Sequence, residues 1–515
     1  MTLDLPRAFA PCPAPETAEP RHPVAIVGAG PVGLTLALDL AARGVPCVLL
    51  DDNTEVSTGS RAICWAKRSL EIFDRLGVAE PMLAEGVTWQ VGRIFHRDRE
   101  VFAFDLLPEA GHKMPAFANL QQWAVEAILI DACRREPLIA LRFGNRVVGL
   151  EIHDDHAALG LEAPGGNYVL EARHLVACDG ARSALRGMLK LDFEGELFEE
   201  RFLIADIEMA ADFPPERRFW FEPPFHDGQS ALLHKQPGNI WRIDLQLGWD
   251  ANPDRERRPE SITPRIARVV GDRPFRLDWS SIYTFQCRRL ARFVHGPVVF
   301  AGDAAHVVSP FGARGGNGGI QDADNLGWKL AAILGGDAPP ALLATYDAER
   351  IQAADENIAH SARATRFMSP APGVERLFRD QVLALAAHAP FARAWVNSGR
   401  LSTPCSYALA APDDPALPAS SRPGAPAPDA PLGEGWLLDR LGRGWALLAI
   451  GTAPPSGLAL PALALAPDAT LAARYLGEAP SALYLIRPDQ HVAARWTETT
   501  AGAVAAAHRK ALAHV

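Results

Sequence analysis

A ten-residue run near the N-terminus, V-A-I-V-G-A-G-P-V-G (24–33), restricts the fold more than any other part of this chain. Val24 to Val27 are small or β-branched apolar residues, the composition of a strand buried on both faces. Gly28, Gly30 and Gly33 then read as a tight turn into a helix: the first makes the turn, the second lets backbone approach a pyrophosphate, and the third lets helix and strand pack closely. Residues 34–43 continue the helix, Gly44 stops it, and VPCVLL (45–50) reads as the next strand. Asp51 ends that strand, where an acid accepts hydrogen bonds from an adenosine ribose. Free N–H groups and a partial positive charge at the helix start suit a diphosphate.

Two further glycine segments decide which dinucleotide this is. Leu175 to Cys178 is a short apolar strand ending at Asp179-Gly180, within A-C-D-G-A-R-S-A-L-R (177–186). V-V-F-A-G-D (298–303) is a third strand, and P-F-G-A-R-G-G-N (310–317) leads into a helix predicted over 320–334. A dehydrogenase holding only NAD needs neither later segment, so three passes along one bound dinucleotide read as FAD. Asp303 is placed to hold a ribityl or ribose hydroxyl, and the helix start to face negative charge on a reduced flavin ring.

These three motifs, in this order and spacing, resemble the group A flavoprotein monooxygenases, single-component aromatic hydroxylases such as p-hydroxybenzoate hydroxylase, phenol hydroxylase and 3-(3-hydroxyphenyl)propionate hydroxylase. The resemblance covers residues 22 to about 370. It implies an α/β fold: a Rossmann-like FAD-binding domain, an inserted mixed-sheet substrate domain and a C-terminal thioredoxin-like α/β domain. It also implies non-covalent FAD, NADH or NADPH as co-substrate, and O2, with a small phenolic substrate hydroxylated through a flavin C4a-hydroperoxide. Carried over, Gly28, Gly30, Gly33 and Asp51 hold the ADP half, and Asp179 serves both FAD and the nicotinamide. Arg61 (in S-R-A-I, 60–63) lies against the flavin, and Gln122 opens the family's long helix. Asp303, Pro310, Gly315, Gly316 and Asn317 line the ribityl chain and isoalloxazine, while Arg314 stands where relatives carry a basic residue that favours the anionic reduced ring. The family usually has Glu where Asp51 stands, which shortens the reach to the ribose.

The chain divides into a disordered tail (1–21), a first part of the FAD-binding domain (22–190), a substrate domain (191–290), a second FAD part with helices (291–400), a Pro-rich linker (401–434) and the thioredoxin-like domain (435–515). That last domain has no C-x-x-C and no cysteine, so it is no disulfide oxidoreductase. It keeps a structural or homodimer-contact role and is expected to be dispensable for flavin binding. A net charge of −10 argues against a nucleic-acid partner, and the lack of an apolar run of about 18 residues argues against a membrane span. The N-terminal 20 residues lack the apolar core of a signal peptide, and seven scattered cysteines read as thiols of a reducing cytoplasm. No metal site is predicted.

Substrate chemistry is expected between the second and third motifs. FLIADIEM, RRFWFEP, SALLHKQP and NIWRIDLQLGW read as strands separated by Pro-rich turns. On them His234, His226 and Arg242, with Tyr283 in S-I-Y-T-F (281–285), are the candidate catalytic residues. A histidine, titrating near 6.5 when unperturbed, suits the removal of a phenol proton. Two alternatives stay open: an FAD-dependent oxidoreductase of another class, such as a reductase or epoxidase, and a non-catalytic FAD-binding sensor. A halogenase is disfavoured by the absence of W-x-W-x-I-P.

Overall fold

The computed structural model describes residues 5–59, 61–226, 228–248, 250–396 and 401–514. Ser60 of the S-R-A-I segment, Trp249 at the end of a predicted strand and the first four tail residues lie outside the described residues. The apolar run His22–Val27 is the central strand of a parallel sheet, flanked by Cys47–Asp51 and Gly166–Ala177 and extended by Ile139–Phe143 and Val298–Phe300. All three glycine motifs therefore leave the carboxyl ends of neighbouring parallel strands, where open α/β sheets bind ligands. The helix Pro31–Ala42 is buried along most of its length because Gly315–Gly335 and Gln122–Arg135 both pack on it.

A second sheet stands over these strand ends. Its order is His306–Val307, Arg276–Leu290, Phe193–Glu208, Ile240–Gln246, Ala231–Lys235, Arg217–Phe221, Val91–His96 and Arg99–Asp105. The 191–290 boundary thus understates this unit: Val91–His96, from the first FAD segment, pairs in parallel with Arg217–Phe221. Period-two alternation divides its faces. Leu203, Ala205, Leu233 and Ile243 pack outward with Ile262 and Ile266 of the helix Pro259–Val270, while Phe202, Phe219, Phe221 and Phe285 face inward toward Phe311.

The expected disordered tail is corrected for residues 5–21. Phe9 stacks on Phe143 (4.7 Å between centroids), Arg7 lies over Trp123, and backbone bonds join Phe9 to Thr54 and Cys12 to Phe143. The expected linker is corrected as well. Residues 401–434 hold little regular structure, yet Ser402, Cys405, Tyr407, Ser421 and Asp429 are buried, and backbone bonds pin Gly424 to Val492 and Ala427 to Gln490.

The C-terminal unit is a four-stranded sheet, in the order Ala462–Leu465, Ala446–Ile450, Ala482–Ile486 and Val492–Trp496, with only the first pair parallel. Its base is bonded to the FAD-binding part. Arg487 holds Glu349 through both Nη atoms (2.8 and 2.9 Å), and Glu349 also accepts from Lys329 and Asn325 of the helix Gly315–Gly335. The carbonyl of Asp489 accepts from Arg68, and the Asp489 carboxylate from Trp328.

Candidate active site

The nucleotide cradle follows from what its glycines exclude. Gly28 sits at φ +110°, and a Cβ there would lie 2.3 Å from the Cys178 carbonyl oxygen. A Cβ on Gly33 would lie 2.0 Å from the Gly28 carbonyl, so this pair fixes helix against strand. Gly30 differs: its φ is ordinary, and a Cβ would meet nothing within 4 Å. Gly180, after the second strand, likewise faces open space. The backbone is thus packed tightly behind the turn and open in front of it, as a diphosphate requires.

Asp51 accepts from the Ala29 N–H (2.6 Å) and the Asn53 N–H (2.8 Å), so the shorter acid braces the turn as well as facing the ribose position. Burial pushes its carboxyl up. Asp179 caps the next helix through the Leu185 N–H (3.1 Å), and its Oδ1 is buried without a partner. Asp303 is solvent-accessible although protein surrounds it, which places it on the wall of a cleft, and desolvation raises its pKa. These features fit FAD: an open backbone cradle, an orphaned carboxylate oxygen and an acid on an internal wall.

The flavin-side loops are held by groups that sequence reasoning assigned to the cofactor itself. The Asn317 side chain is engaged by protein. Its Oδ1 accepts from Ala66 N–H (2.8 Å), its Nδ2 donates to the Cys64 and Ala313 carbonyls, and the residue is buried. Gln122 accepts from the Ala62 N–H (3.1 Å) and donates to Glu126, which in turn accepts from the Ser57 N–H. Together they anchor the backbone at Ser57 and at Ala62. Arg61 is exposed on that segment, and its carbonyl accepts from Arg242 (3.2 Å). Gly316 packs near Ala62 and Trp65, Gly315 lies beside Val308, and Pro310 precedes the strained pair Gly312 (φ +102°) and Ala313 (φ +53°). The helix starts at Gly315, five residues before its predicted start. Below it, Asp322 accepts from the Gly302 N–H, His306 and Arg350, and Arg350 reaches the Tyr407 hydroxyl.

On the inner face of the second sheet, the catalytic candidates separate. Tyr283 is 44% exposed, stands beside Phe285 and feels the charges of Asp303, Arg61, Arg242 and Arg182, so it shares the Asp303 cleft; desolvation raises its pKa. Arg242 is buried, with Nε on Asp244 (2.8 Å). His234 is buried beside Cys64 (Sγ to Nδ1 4.0 Å) and edge-on to Trp89. Desolvation, then Arg217 and Arg242, hold it well below 6.5. Burial there favours its neutral form. The His226 ring pairs with the Gln246 carbonyl (2.6 Å), and the residue is not among those lining the aromatic cleft.

That cleft lies between the second sheet, the 311–314 loop and the helices that follow. Phe104, Phe219, Phe221, Phe311 and Phe367 line it, with Arg217 and Arg314. Arg314 is buried here and donates to Asn357 (3.2 Å). Arg217 was missed by sequence reasoning, although the inward series 217, 219, 221 on one strand was readable from its alternation. Among the described residues no three His, Cys, Asp or Glu side chains are grouped to hold a metal, and no helix is long and apolar enough to cross a membrane.

A dinucleotide cradle at parallel strand ends, roofed by a sheet that encloses an aromatic cleft, defines a flavoprotein acting on a ring-shaped substrate. The FAD binding domain family model matches residues 21–361. A 3-(3-hydroxy-phenyl)propionate/3-hydroxycinnamic acid hydroxylase of Mycobacterium sp. (strain JLS) is 30% identical over 86% of this chain and 78% of its own length. A flavin-dependent monooxygenase of Mycobacteroides abscessus is 35% identical over 64% of this chain and 71% of its own. Among solved structures, the rebeccamycin biosynthetic enzyme RebC with reduced flavin superposes with a TM-score of 0.77 at 26% identity, covering 97% of this chain and all of that one. The flavin-dependent monooxygenase PieE reaches 0.81 at 23% identity over 98% and 100%, a likeness of fold. The chain belongs to the group A FAD-dependent aromatic monooxygenases and is an FAD-dependent aromatic hydroxylase.

Proposed function

We propose that this enzyme hydroxylates a small phenol, consuming NADH or NADPH and O2 and returning the second oxygen atom as water. The observation that carries this reading is the aromatic cleft meeting the 311–314 loop, with Arg217 and Arg314 among its walls. FAD, when bound, supplies the passage of electrons from nicotinamide to O2 and of one oxygen atom to the ring. Gly28, Gly30, Gly33 and Asp51 would hold its ADP half, with Asp179 and Asp303 further along and Arg61 by the ring.

The protein's own part is positional and electrostatic. The low-dielectric cleft excludes water, and buried cations strengthen there. Arg242 and Arg217 lower the cost of an oxyanion, which favours the phenolate and raises electron density at its ortho and para carbons. His234, already neutral, orients rather than ionises. Tyr283, beside Asp303, supplies a phenol hydroxyl at the cleft wall. The thioredoxin-like assignment of residues 435–515 is supported by the strand order and by the antiparallel second half of that sheet. A homodimer is supported by apolar residues left exposed on the helices after residue 373, among them Leu377, Phe391 and Trp395. Seven cysteines with no disulfide among the described residues support a reducing cytoplasm.

The test is turnover under ¹⁸O2 with a phenol panel, following NAD(P)H. One labelled hydroxyl in the product, with NAD(P)H oxidation stimulated by substrate, is expected. Stimulated oxidation without label in any product would favour the reductase class, and no stimulation by any ligand the sensor.

A further inference from the structure

Asp322 stands within the helix Gly315–Gly335 with no exposed surface. A buried carboxylate is costly unless it is paired, so the direction of each of its bonds matters. Its Oδ2 accepts from the Gly302 N–H (2.8 Å) and faces His306 Nε2 (2.7 Å), and its Oδ1 accepts from Arg350 Nε (2.5 Å). Gly302 is the first residue of the Gly-Asp pair in the third motif. The Ala304 carbonyl, on the other side of Asp303, accepts from Arg186 (3.2 Å). Asp303 thus extends from backbone anchored on both sides. A Cβ on Gly302 would lie 2.9 Å from Val32 of the first motif, so the turn is also packed against the nucleotide cradle. Asp322 fixes this turn from behind.

Arg350, in the helix Leu343–Met368, divides its guanidinium among three partners. Besides Asp322, it donates through Nη2 to the Gly318 carbonyl (3.1 Å) and through Nη1 to the Tyr407 hydroxyl (2.8 Å). The rigid fork of an arginine gives these donors set directions. Tyr407 belongs to the proline-rich segment, and its ring stacks on His491 of the C-terminal unit (4.9 Å between centroids). We propose that Asp322, Arg350 and Tyr407 are positioning residues for the flavin: Asp322 sets the Gly302–Asp303 turn, Arg350 aims and balances Asp322, and Tyr407 holds Arg350. All three are buried and act through the turn. Their reach is electrostatic as well as steric, since the Asp322 charge is felt at Asp303. Binding of FAD and docking of Tyr407 then stabilise each other, because coupling between two sites is reciprocal. This goes beyond the aromatic cleft and rests on the Gly302–Asp303 turn lying against FAD.

The experiment compares the full-length enzyme with Tyr407→Phe, which keeps the ring on His491 and removes only the hydroxyl. FAD affinity, read from flavin fluorescence, is expected to fall about 5- to 50-fold, within the usual range of coupling between linked sites. Hydrogen exchange followed by mass spectrometry gives the reciprocal reading. In the wild type, FAD should slow exchange at Tyr407, Ala408 and Leu409, whose N–H groups bond to Gly424, Gln352 and Tyr407. In Tyr407→Phe that slowing should be lost. The flavin midpoint potential separates positioning from general loosening. Asp322→Asn removes a negative charge behind the turn and should raise the potential, whereas Arg350→Gln removes the opposing cation and should lower it. Shifts of the same sign in both would overturn the proposal, as would unchanged FAD affinity in Tyr407→Phe. Asp303→Ala is the reference. If it weakens FAD binding while Tyr407→Phe does not, the relay alone falls; if neither does, the turn does not lie against FAD and that reading falls with it. Should Asp322→Asn and Arg350→Gln fail to load FAD, the affinity and exchange of Tyr407→Phe decide.

Discussion

Arg487→Met tests whether the C-terminal unit is part of the flavin-binding core. Arg487 gives two hydrogen bonds to Glu349 and two to Asp489 (3.0 and 2.6 Å), and its guanidinium lies 5.2 Å from the Trp328 ring. All four groups are buried. Methionine keeps much of the stem packing but leaves two buried carboxylates short of a cation, a change that costs about 3–5 kcal/mol. Lys329 and Asn325 still reach Glu349, which favours the lower end of that range. With about 2–4 °C per kcal/mol for a large domain, the melting temperature should fall by about 6–20 °C. The assay is thermal unfolding of the FAD-loaded enzyme, followed in parallel by flavin fluorescence and far-ultraviolet circular dichroism. Both signals should shift together, because the arginine of one unit neutralises the helix that underlies the flavin loop. A shift below about 2 °C would refute the reasoning. So would a separate early transition with flavin release unchanged, since the unit would then be autonomous. Adding Glu349→Gln to Arg487→Met should cost less than the sum of the single changes, as two members of one ion pair couple.

Gly30→Val should fold and lose FAD, because its side chain enters only the open cradle, whereas Gly33→Val should yield little folded protein, its Cβ starting 2.0 Å from the Gly28 carbonyl; flavin content and circular dichroism distinguish them. Asn317→Ala removes the bonds from the 313–317 turn to Cys64 and Ala66 and should cost about 1–3 kcal/mol and weaken FAD retention, measured by dialysis and flavin fluorescence. Stability should decline on acidification in two stages, measured by urea unfolding across pH. Burial holds His112 and His174 at about 4, so the unfolded chain takes up protons first as pH falls from 6.5 toward 4. Against desolvation, Arg487 and Lys329 hold Glu349 at about 2, so its contribution is present above 4.5 and lost as pH falls from 4.5 toward 2. A flat profile between pH 7 and 4 would contradict the first stage. His234→Ala should leave hydroxylation within about 10-fold of wild type, well short of the loss of about 10²- to 10⁴-fold that removal of a working base produces.

The first strand, turn and helix were legible because they depend on local chemistry: a strand, three glycines at set spacing, a helix and an acid all lie within 30 residues. The third motif was equally readable as a strand ending in Gly-Asp. What escaped was everything fixed by distant partners. Asn317 looks like a cofactor ligand in sequence, and only the approach of Cys64 and Ala66 turns its amide inward. His234 looks like a base until burial and two arginines from neighbouring strands are brought beside it. The strands at Val91–His96 and Arg99–Asp105 join the second sheet across more than 100 residues, a pairing that no local pattern reports.

The segment from 404 to 431 holds eight prolines and would be taken for a spacer on composition. Its burial has an entropic consequence. Each pyrrolidine ring fixes φ before folding begins, so the free chain surrenders fewer conformers when Tyr407 docks on Arg350 and Gly424 on Val492. An equivalent stretch of glycine and serine would make the same contacts at a higher cost in disorder. Proline here acts as stiffening in a strap: it lets a stretch with few helices or strands of its own lie ordered across two packed units.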